Sequence, residues 1–415
     1  MTVKITINGK SAAVPQDATI LEAARQMGVE IPTLCHHPDL KDVGACRMCV
    51  VSVEKARGLQ TACTTPVADG MVVHTNSDEA VETRKFVLSM LLTDHPNECM
   101  TCQVNGECTL QDLVYDYDVP WPEHNGQRHS YPIDPDPNPF IFIDLNKCIL
   151  CSRCIRACSE VQNRDVWNFA YRGFKTELVA GAGEMLLDAR CESCGLCVAY
   201  CPVGALTDKM SIGTGRPSQL KKVRTTCSYC GVGCNFDLNV RNGKIVRVTS
   251  APDAPVNGMS LCVKGRYGYD YVNHKERLTR PLIRAKWLTN VEERVENGEW
   301  QIANIAEKRV ERKKTKGKWG NGQIANPPSR IQNPAPVLSE AEVSHIVNPD
   351  AFIETDWDTA LDVVAGKFAQ VKKDHGGNAL AVLASAKCTN EENYLFNKFA
   401  RQILGTNSID HCARL

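Results

Sequence analysis

The start of the chain alternates between polar and apolar residues in a pattern that predicts two strands and a helix. A strand is expected over Thr2–Ile7, a type I′ turn at Asn8-Gly9 and a returning strand over residues 11–14. Thr19, followed three residues later by Glu22, is the signature of a capped helix start. Two strands, a helix and then a cysteine-bearing loop are typical of a β-grasp fold, although other small α/β modules begin in the same way.

Further along the chain, the pattern predicts more elements and a linker. Residues 79–93 have helical periodicity without Gly or Pro, which predicts a packed helix. The prolines in residues 132–139 predict a linker, because proline fits neither a helix interior nor a central strand. A helix over 357–365, a buried strand over 379–384 and a helix over 391–404 together predict the start of an α/β domain.

From about residue 291 to residue 349, the composition differs from that of the sequence on either side, within a predicted linker at 278–350. These residues contain a basic run at 308–318 and a proline-rich stretch at 327–336. A basic run can bind nucleic acid or another anionic surface, but an isolated run of this kind is more typical of a solvated insertion. We therefore expect a disordered linker or insertion and no nucleic-acid partner.

Composition narrows the class of protein. The sequence has 48 basic residues (Lys and Arg) and 48 acidic residues (Asp and Glu). Its net charge therefore does not favour binding to nucleic acid or to a membrane surface. The sequence contains neither the apolar core of a secretory signal nor an apolar stretch as long as a membrane span. Because the cytosol keeps thiols reduced, the 21 cysteines indicate metal binding rather than disulfides. We expect a soluble, cytoplasmic protein.

The first cysteine set directly follows the β-grasp-like elements. Cys35, Cys46, Cys49 and Cys63 have the spacing C-x10-C-x2-C-x13-C. Four thiolates on one loop system suit a [2Fe–2S] cluster. Zinc is the alternative, although zinc sites usually use two paired C-x2–4-C knuckles. The spacing resembles that of the N-terminal domain of complex I-type and hydrogenase-type subunits.

The second set combines one histidine with three cysteines. His95, Cys99, Cys102 and Cys108 have the spacing H-x3-C-x2-C-x5-C. A lone histidine is more often structural than a ligand, but a four-iron cluster needs a ligand on each iron and no fourth cysteine is near. We therefore predict a [4Fe–4S] cluster with His95 as one ligand.

The most specific motif, C-x2-C-x2-C-x3-C, occurs twice. Its cysteines are Cys148, Cys151, Cys154 and Cys158, and then Cys191, Cys194, Cys197 and Cys201. In such pairs, the fourth cysteine of each run ligates the other cluster. We predict two [4Fe–4S] clusters, one on Cys148, Cys151, Cys154 and Cys201 and one on Cys191, Cys194, Cys197 and Cys158.

The last set has the spacing C-x2-C-x3-C-x27-C, which alone would permit zinc, and consists of Cys227, Cys230, Cys234 and Cys262. Residues 227–234 (CSYCGVGC) and 261–266 (LCVKGR) resemble the [4Fe–4S] domain of molybdopterin-guanine-dinucleotide oxidoreductases, most closely the formate dehydrogenases. The resemblance implies a [4Fe–4S] cluster here. It also implies that Lys264 lies on the electron path between this cluster and the pterin cofactor, although a surface lysine is the alternative.

These observations predict an α+β multidomain chain. The first three expected parts are a β-grasp [2Fe–2S] ferredoxin-type domain (1–78), a helical [4Fe–4S] domain with one histidine and three cysteine ligands (79–131) and a two-cluster bacterial-ferredoxin domain (139–215). They are followed by a small β-rich [4Fe–4S] domain of the Mo/W bis-molybdopterin type (220–277) and the linker (278–350). The last part is the incomplete start of a molybdopterin oxidoreductase α/β domain (351–415). Cys388 and Cys412 belong to no set and are expected to be ordinary buried thiols.

The resemblance to formate dehydrogenases implies a function for the complete enzyme. Formate would be oxidised to CO2 at a molybdenum or tungsten bis-molybdopterin guanine dinucleotide centre. Its two electrons would leave through the clusters to a flavin-bearing, NAD-reducing subunit or to hydrogenase subunits. A non-catalytic electron relay like the G-type subunit of complex I and the N-terminal region of an iron-only hydrogenase are the alternatives. The repeated motif and residues 389–415 argue against the relay, and an iron-only hydrogenase should show its own active-site cysteine motif.

The end of the sequence carries one more expectation. Residues 405–415 resemble the family segment that precedes the metal ligand, a Cys or selenocysteine followed by His. A selenocysteine codon interpreted as a stop would end the sequence at Leu415. We therefore expect a selenoprotein candidate, truncated here, whose 415 residues do not oxidise formate by themselves.

Overall fold

The computed structural model describes residues 1–122, 127–288, 301–302 and 351–412. The chain divides into two compact units, Met1–Asp270 and Tyr271–Leu415. Within the described ranges, no helix is both long and apolar enough to cross a membrane.

A mixed five-stranded sheet and one helix begin the first unit. The elements are β1 (Thr2–Ile7), β2 (Lys10–Pro15), α1 (Ile20–Gln26), β3 (Val50–Val53), β4 (Gln60–Thr61) and β5 (Met71–His74). The sheet order is β2-β1-β5-β3-β4, with β1 and β5 parallel. Asn8 and Gly9 have φ angles of 49° and 80°, as a type I′ turn requires. The Thr19 hydroxyl accepts from the Glu22 amide at 3.2 Å, and the Glu22 carboxylate accepts from the Thr19 amide at 2.7 Å, so the predicted capping box is confirmed.

The next region is built from short elements around cysteine-bearing loops. These are α2 (Asp78–Asp94), α3 (Thr109–Asp116), β6 (Ile141–Ile143), α4 (Arg153–Arg156), β7 (Trp167–Ala170), β8 (Glu177–Ala180), α5 (Leu196–Tyr200) and β9 (Leu206–Asp208). Helix α2 confirms the helix predicted over 79–93. Antiparallel pairing of β6 with β9 closes this region on itself and brings α4 against α5. The loops that carry the two repeated motifs therefore lie side by side.

A three-stranded antiparallel meander ends the first unit. It consists of β10 (Lys221–Thr226), β11 (Asn235–Arg241) and β12 (Lys244–Ser250), followed by α6 (Val263–Tyr267). Phe236, Val248 and Leu261 form its small core together with Cys227. This core therefore includes a predicted cluster ligand, Cys227.

The second unit contains two small sheets and two helices. Its elements are β13 (Leu282–Arg284), β14 (Gln301–Ile302), β15 (Phe352–Glu354), α7 (Trp357–His375), β16 (Val382–Ser385), α8 (Asn390–Lys398) and β17 (Ile409–Cys412). Strands β13 and β14 flank β15, and β16 pairs in parallel with β17. Short 3₁₀ turns in the two units lie at Leu145–Lys147, Gly173–Lys175, Lys209–Ser211, Pro217–Gln219, Asp270–Asn273, Ala285–Trp287 and Gly377–Ala379, and π-helical turns lie at Ala157–Val161 and Phe399–Leu404.

The second unit departs from the sequence prediction in its details. The strand predicted as buried over 379–384 lies at Val382–Ser385, and its Leu383 side chain is 81% exposed. The prediction of burial was wrong because, in the described part of the chain, β16 pairs with β17 alone and buries one face. The helix predicted over 357–365 continues to His375. Most of the predicted linker at 278–350 lies outside the described residues, but its described part includes β13 and β14.

Candidate iron–sulfur sites

The first cysteine set lies on the loop between α1 and β3 and just after β4. Cys35, Cys49 and Cys63 are each 1% exposed, and Cys46 is half-buried. The sulfurs of Cys49 and Cys63 are 3.4 Å apart, and the Cys46 sulfur accepts a hydrogen bond from the Cys35 amide at 3.4 Å. Hydrogen bonds from the Cys46 and Cys63 thiols lower the pKa of Cys35. The structure therefore brings all four members of this set together.

A cavity of about 270 Å³ is lined by three members of the second set, His95, Cys99 and Cys108. Burial, and then the charge of Lys147, lowers the pKa of His95 to about 4. The ring is therefore neutral at neutral pH, which is the form that binds metals. Its buried Nδ1 atom has no hydrogen-bond partner within the described ranges. A neutral ring with a free nitrogen at this cavity fits the predicted ligand.

Cys102, the fourth member of this set, lies against the loop that follows Cys201. A Cβ atom on Gly204 would be 2.6 Å from the Cys102 sulfur, so only glycine leaves room for it. Burial and then the Cys102 thiol raise the pKa of Cys99. Burial also raises the pKa of Cys108 to about 11, with a smaller contribution from Cys102. The three thiols of the set are thus close enough to influence one another.

One cavity is lined by the four thiols predicted to hold the first ferredoxin-type cluster: Cys148, Cys151, Cys154 and Cys201. Burial raises the pKa of Cys148, Cys151 and Cys201 to about 11. Burial also raises the pKa of Cys154, and the other three thiols add to this effect. The structure thus places Cys201 of the second motif with the first three cysteines of the first motif.

Cys158 of the first motif lies with the first three cysteines of the second motif. Burial raises the pKa of Cys191, Cys194 and Cys197, and the Cys158 thiol contributes to the shift of each. The Cys158 sulfur also accepts a hydrogen bond from the Val166 amide at 3.4 Å. The second group of four thiols is therefore assembled in the exchanged arrangement as well.

The two repeated motifs share one local backbone conformation. Leu150 and Ser193 occupy equivalent positions and have φ angles of 50° and 53°. Each amide donates to the sulfur of the cysteine two residues earlier, Cys148 at 3.4 Å and Cys191 at 3.3 Å. Amide hydrogen bonds to sulfur are one of the means by which proteins set the potential of an iron–sulfur cluster. The sequence repeat is therefore also a repeat of sulfur environments.

The fifth set lies beside the β10–β12 sheet. The loop between β10 and β11 carries Cys227, Cys230 and Cys234, and Cys262 immediately precedes α6. Burial raises the pKa of Cys234, and the other three thiols add to the shift. A Cβ atom on Gly265 would lie 3.7 Å from the Cys227 sulfur and 4.0 Å from that of Cys262. Gly265 thus packs closely against this set.

Lys264 is exposed on α6, two residues after Cys262. Its role toward a pterin stays a prediction. Of the two cysteines outside the sets, Cys388 is half-buried rather than buried as expected. Cys388 lies in the turn between β16 and α8, where little of the chain covers it. The side chain of Cys412 lies outside the described residues.

The donor atoms fit iron–sulfur clusters, because thiolates together with a neutral imidazole are the ligands that such clusters take. In the portion of the chain that is described, no three His, Cys, Asp or Glu side chains are arranged to hold a single metal ion.

Two buried arginines that touch these sets were missed by the sequence analysis. Arg156 and Arg266 are 6% and 4% exposed. Arg156 donates to the carbonyl oxygens of Cys35 and Cys151, and Arg266 donates to that of Cys194. Both arginines lie close to cysteine motifs in sequence, but cysteine spacing carries no signal for a contact between different sets.

Family models match five successive parts of the chain. They are the 2Fe-2S iron-sulfur cluster binding domain (1–78), the NADH-ubiquinone oxidoreductase-G iron-sulfur binding region (84–120), the NADH-quinone oxidoreductase subunit 3 ferredoxin-like domain (138–207), the molybdopterin oxidoreductase Fe4S4 domain (220–274) and molybdopterin oxidoreductase (277–415). The chain is therefore built from iron–sulfur and molybdopterin oxidoreductase domains, which confirms the predicted multidomain class.

The curated relatives are longer than this chain. An NADPH-Fe(3+) oxidoreductase subunit alpha of Geobacter sulfurreducens is 32% identical over 413 residues, which are 100% of this chain and 40% of the relative. The second G-type subunit of NADH-quinone oxidoreductase of Rhizobium meliloti is 40% identical over 283 residues, 68% of this chain and 33% of the relative. A putative formate dehydrogenase of Staphylococcus aureus is 26% identical over 452 residues, 99% of this chain and 39% of the relative. The chain spans at most 40% of the length of these proteins.

A solved structure of an NAD+-reducing [NiFe]-hydrogenase matches with 30% sequence identity and a TM-score of 0.46. The match covers 51% of this chain and 90% of the hydrogenase chain.

Proposed function

We propose that this chain of iron–sulfur and molybdopterin oxidoreductase domains is the electron-transfer part of an oxidoreductase and holds one [2Fe–2S] and four [4Fe–4S] clusters. Such clusters accept and release single electrons when bound. The observation that carries the proposal is the exchange of Cys158 and Cys201 between the repeated motifs. This exchange places eight thiols in two groups of four, each of which contains one buried cysteine.

The surrounding residues support cluster binding in three ways. Seven cysteines of the five sets are buried, which limits the access of water to their sulfurs and helps to set a cluster's potential. Backbone amides stabilise negative charge on the sulfurs of Cys148 and Cys191. The neutral ring of His95 would supply a fourth donor without adding a negative charge.

We also propose formate as the substrate of the complete enzyme. Two observations support this choice: residues 227–234 and 261–266 resemble formate dehydrogenases, and relatives at 26% identity are named putative formate dehydrogenases. Under this proposal, a molybdenum or tungsten bis-molybdopterin guanine dinucleotide would carry out the oxidation, and Lys264 would lie between that cofactor and the cluster on Cys262. A flavin-bearing, NAD-reducing subunit or hydrogenase subunits would take the electrons in the cytoplasm.

A relay without formate chemistry is the second candidate. It is supported by the 40% identity to a G-type subunit of NADH-quinone oxidoreductase, which is higher than the identity to the formate dehydrogenase relative. Formate-dependent dye reduction by the complete enzyme, purified anaerobically together with its partner subunits, separates the two candidates. Reduction by formate supports the first. Reduction by NADH with no response to formate supports the relay.

Metal analysis and EPR of the anaerobically purified protein test the cluster assignment itself. We expect about eighteen iron atoms per chain, with one [2Fe–2S] signal beside the [4Fe–4S] signals. Stoichiometric zinc, or far fewer iron atoms after reconstitution, would contradict the ligand sets.

A further inference from the structure

Arg156 joins the first cysteine set to the first ferredoxin-type set. One terminal nitrogen donates to the Cys35 carbonyl at 2.5 Å and to the Cys151 carbonyl at 3.4 Å. Its other terminal nitrogen donates to the Lys41 carbonyl at 2.6 Å, and Nε donates to the Ser152 hydroxyl at 3.2 Å. All four acceptors are neutral oxygens. A buried positive charge therefore lies between the backbones of two predicted ligands that belong to different clusters.

Other contacts hold the Cys35 loop in the same position. Arg153 donates to the His36 carbonyl at 2.5 Å, and the Tyr200 hydroxyl donates to the Asp39 carboxylate at 2.9 Å. Leu40 packs in a core cluster with Tyr200. The loop is thus docked on the two-cluster region by several groups, and Arg156 is the one that reaches ligand carbonyls on both sides.

Arg266 connects α6, which follows Cys262 of the fifth set, to the second ferredoxin-type set. It lies four residues after Cys262, and its Nε donates to the Cys194 carbonyl at 2.9 Å. A terminal nitrogen donates to the Ser250 hydroxyl at 2.9 Å and to the Met259 carbonyl at 3.3 Å. These acceptors are also neutral. A Cβ atom on Gly195 would lie 2.4 Å from the Arg266 Cδ atom, so the glycine after Cys194 leaves room for this side chain.

We propose that Arg156 and Arg266 are positioning residues that couple neighbouring clusters. Each would hold the cysteine loops of two sets together and raise the reduction potentials on both sides. Reduction adds one electron to a cluster, and a nearby cation in a medium of low dielectric constant stabilises the added negative charge. In each transfer, one cluster is oxidised by one electron as its neighbour is reduced by one, so no further reactant is needed. This inference rests on the proposed cluster content.

The experiment is an EPR-monitored redox titration of the whole protein, purified anaerobically. Arg156→Gln is compared with Arg172→Gln, which removes an exposed arginine of the same region. Arg266→Gln is compared with Arg224→Gln, which removes an arginine that is 42% exposed and paired with both Asp237 and Asp253. Each buried-site variant should shift the reduction equilibria of both adjoining clusters about tenfold toward the oxidised form, which is about 59 mV for one electron. The two exposed controls should keep wild-type potentials.

Lysine variants distinguish the effect of the positive charge from that of the planar guanidinium group. Arg156→Lys and Arg266→Lys keep the positive charge but lack the planar fork, so their potentials should return toward the wild-type values. Unchanged potentials in glutamine variants that retain their clusters would overturn the proposal. If a glutamine variant loses its clusters, the lysine variant decides: wild-type potentials support the proposal, and cluster loss there too overturns it in favour of a structural role. Absence of cluster signals in the wild type would instead refute the proposed function.

Discussion

His95 ends α2 with a ring that is neutral because burial lowers its pKa to about 4. Replacing it by cysteine would put a negatively charged thiolate where a neutral donor stood. His95→Cys should therefore retain the cluster and lower its reduction potential, by on the order of 100 mV. EPR-monitored titration measures this shift, with His74→Cys, at a side chain that is 45% exposed, as the control. Equal potentials in His95→Cys and the wild type would show that His95 is not a ligand.

A second cavity in the first unit, of about 220 Å³, is lined by residues of β9, β12 and α6. Four buried polar atoms on its wall have no hydrogen-bond partner in the described ranges: Thr207 Oγ1, Asp208 Oδ2, Arg247 Nε and the Tyr267 hydroxyl. Burial raises the pKa of Asp208 to about 6, although the Met210 amide and Arg247 oppose the shift. Nothing in the local sequence marks Asp208, because its pKa is set by strands that are distant in the chain.

Asp208 should make the stability of the protein depend on pH. The folded protein keeps the proton up to about pH 6, whereas the ordinary value for the carboxyl is 3.8. The free energy of unfolding should therefore fall by about 3 kcal/mol as pH rises from about 4 to about 6, and stay low above that. Asp208→Asn should remove this decline. Anaerobic denaturant titrations across that range measure it, with exposed Asp188→Asn as the control. A wild-type pH profile in Asp208→Asn would refute the raised pKa.

At the scale of elements, the loop between α5 and β9 fixes the second cysteine set through Gly204. A Cβ atom there would be 2.6 Å from the Cys102 sulfur, so the loop or the cysteine must move. Gly204→Ala should lower the iron bound at the set of His95, Cys99, Cys102 and Cys108 by up to about four atoms per chain. Iron analysis and EPR measure the loss. Gly366→Ala in α7, where a Cβ atom meets nothing within 4 Å, is the matched control. Full iron content in Gly204→Ala would mean that the contact relaxes at no cost to the site.

The sequence was informative wherever one short segment determines its own geometry. The Thr19 capping box and the Asn8-Gly9 turn both depend on residues close together in the chain. The local sequence does not indicate contacts between segments that are distant in the chain. The Arg156 bond to Cys35 joins residues 121 positions apart, and the approach of Gly204 to Cys102 depends on how two loops pack. The exposure of Leu383 was missed for the same reason, because an apolar run does not reveal how many strands will cover it.

At the scale of the whole molecule, every predicted cluster ligand lies in the unit Met1–Asp270. The sheets and core clusters that hold these loops also lie within that unit. A fragment of residues 1–270 should therefore bind about eighteen iron atoms and give the EPR signals of the whole chain.

Anaerobic reconstitution of that fragment beside the whole chain tests this prediction. A fragment of residues 271–415 is the control, because its two cysteines, Cys388 and Cys412, cannot supply the four ligands that a cluster needs. It should bind no stoichiometric iron. If fragment 1–270 lost one signal while keeping the others, the site responsible for that signal would depend on residues beyond Asp270. Loss of every signal would mean that the first unit does not fold independently, and retention of all of them would establish it as a self-sufficient module for electron transfer.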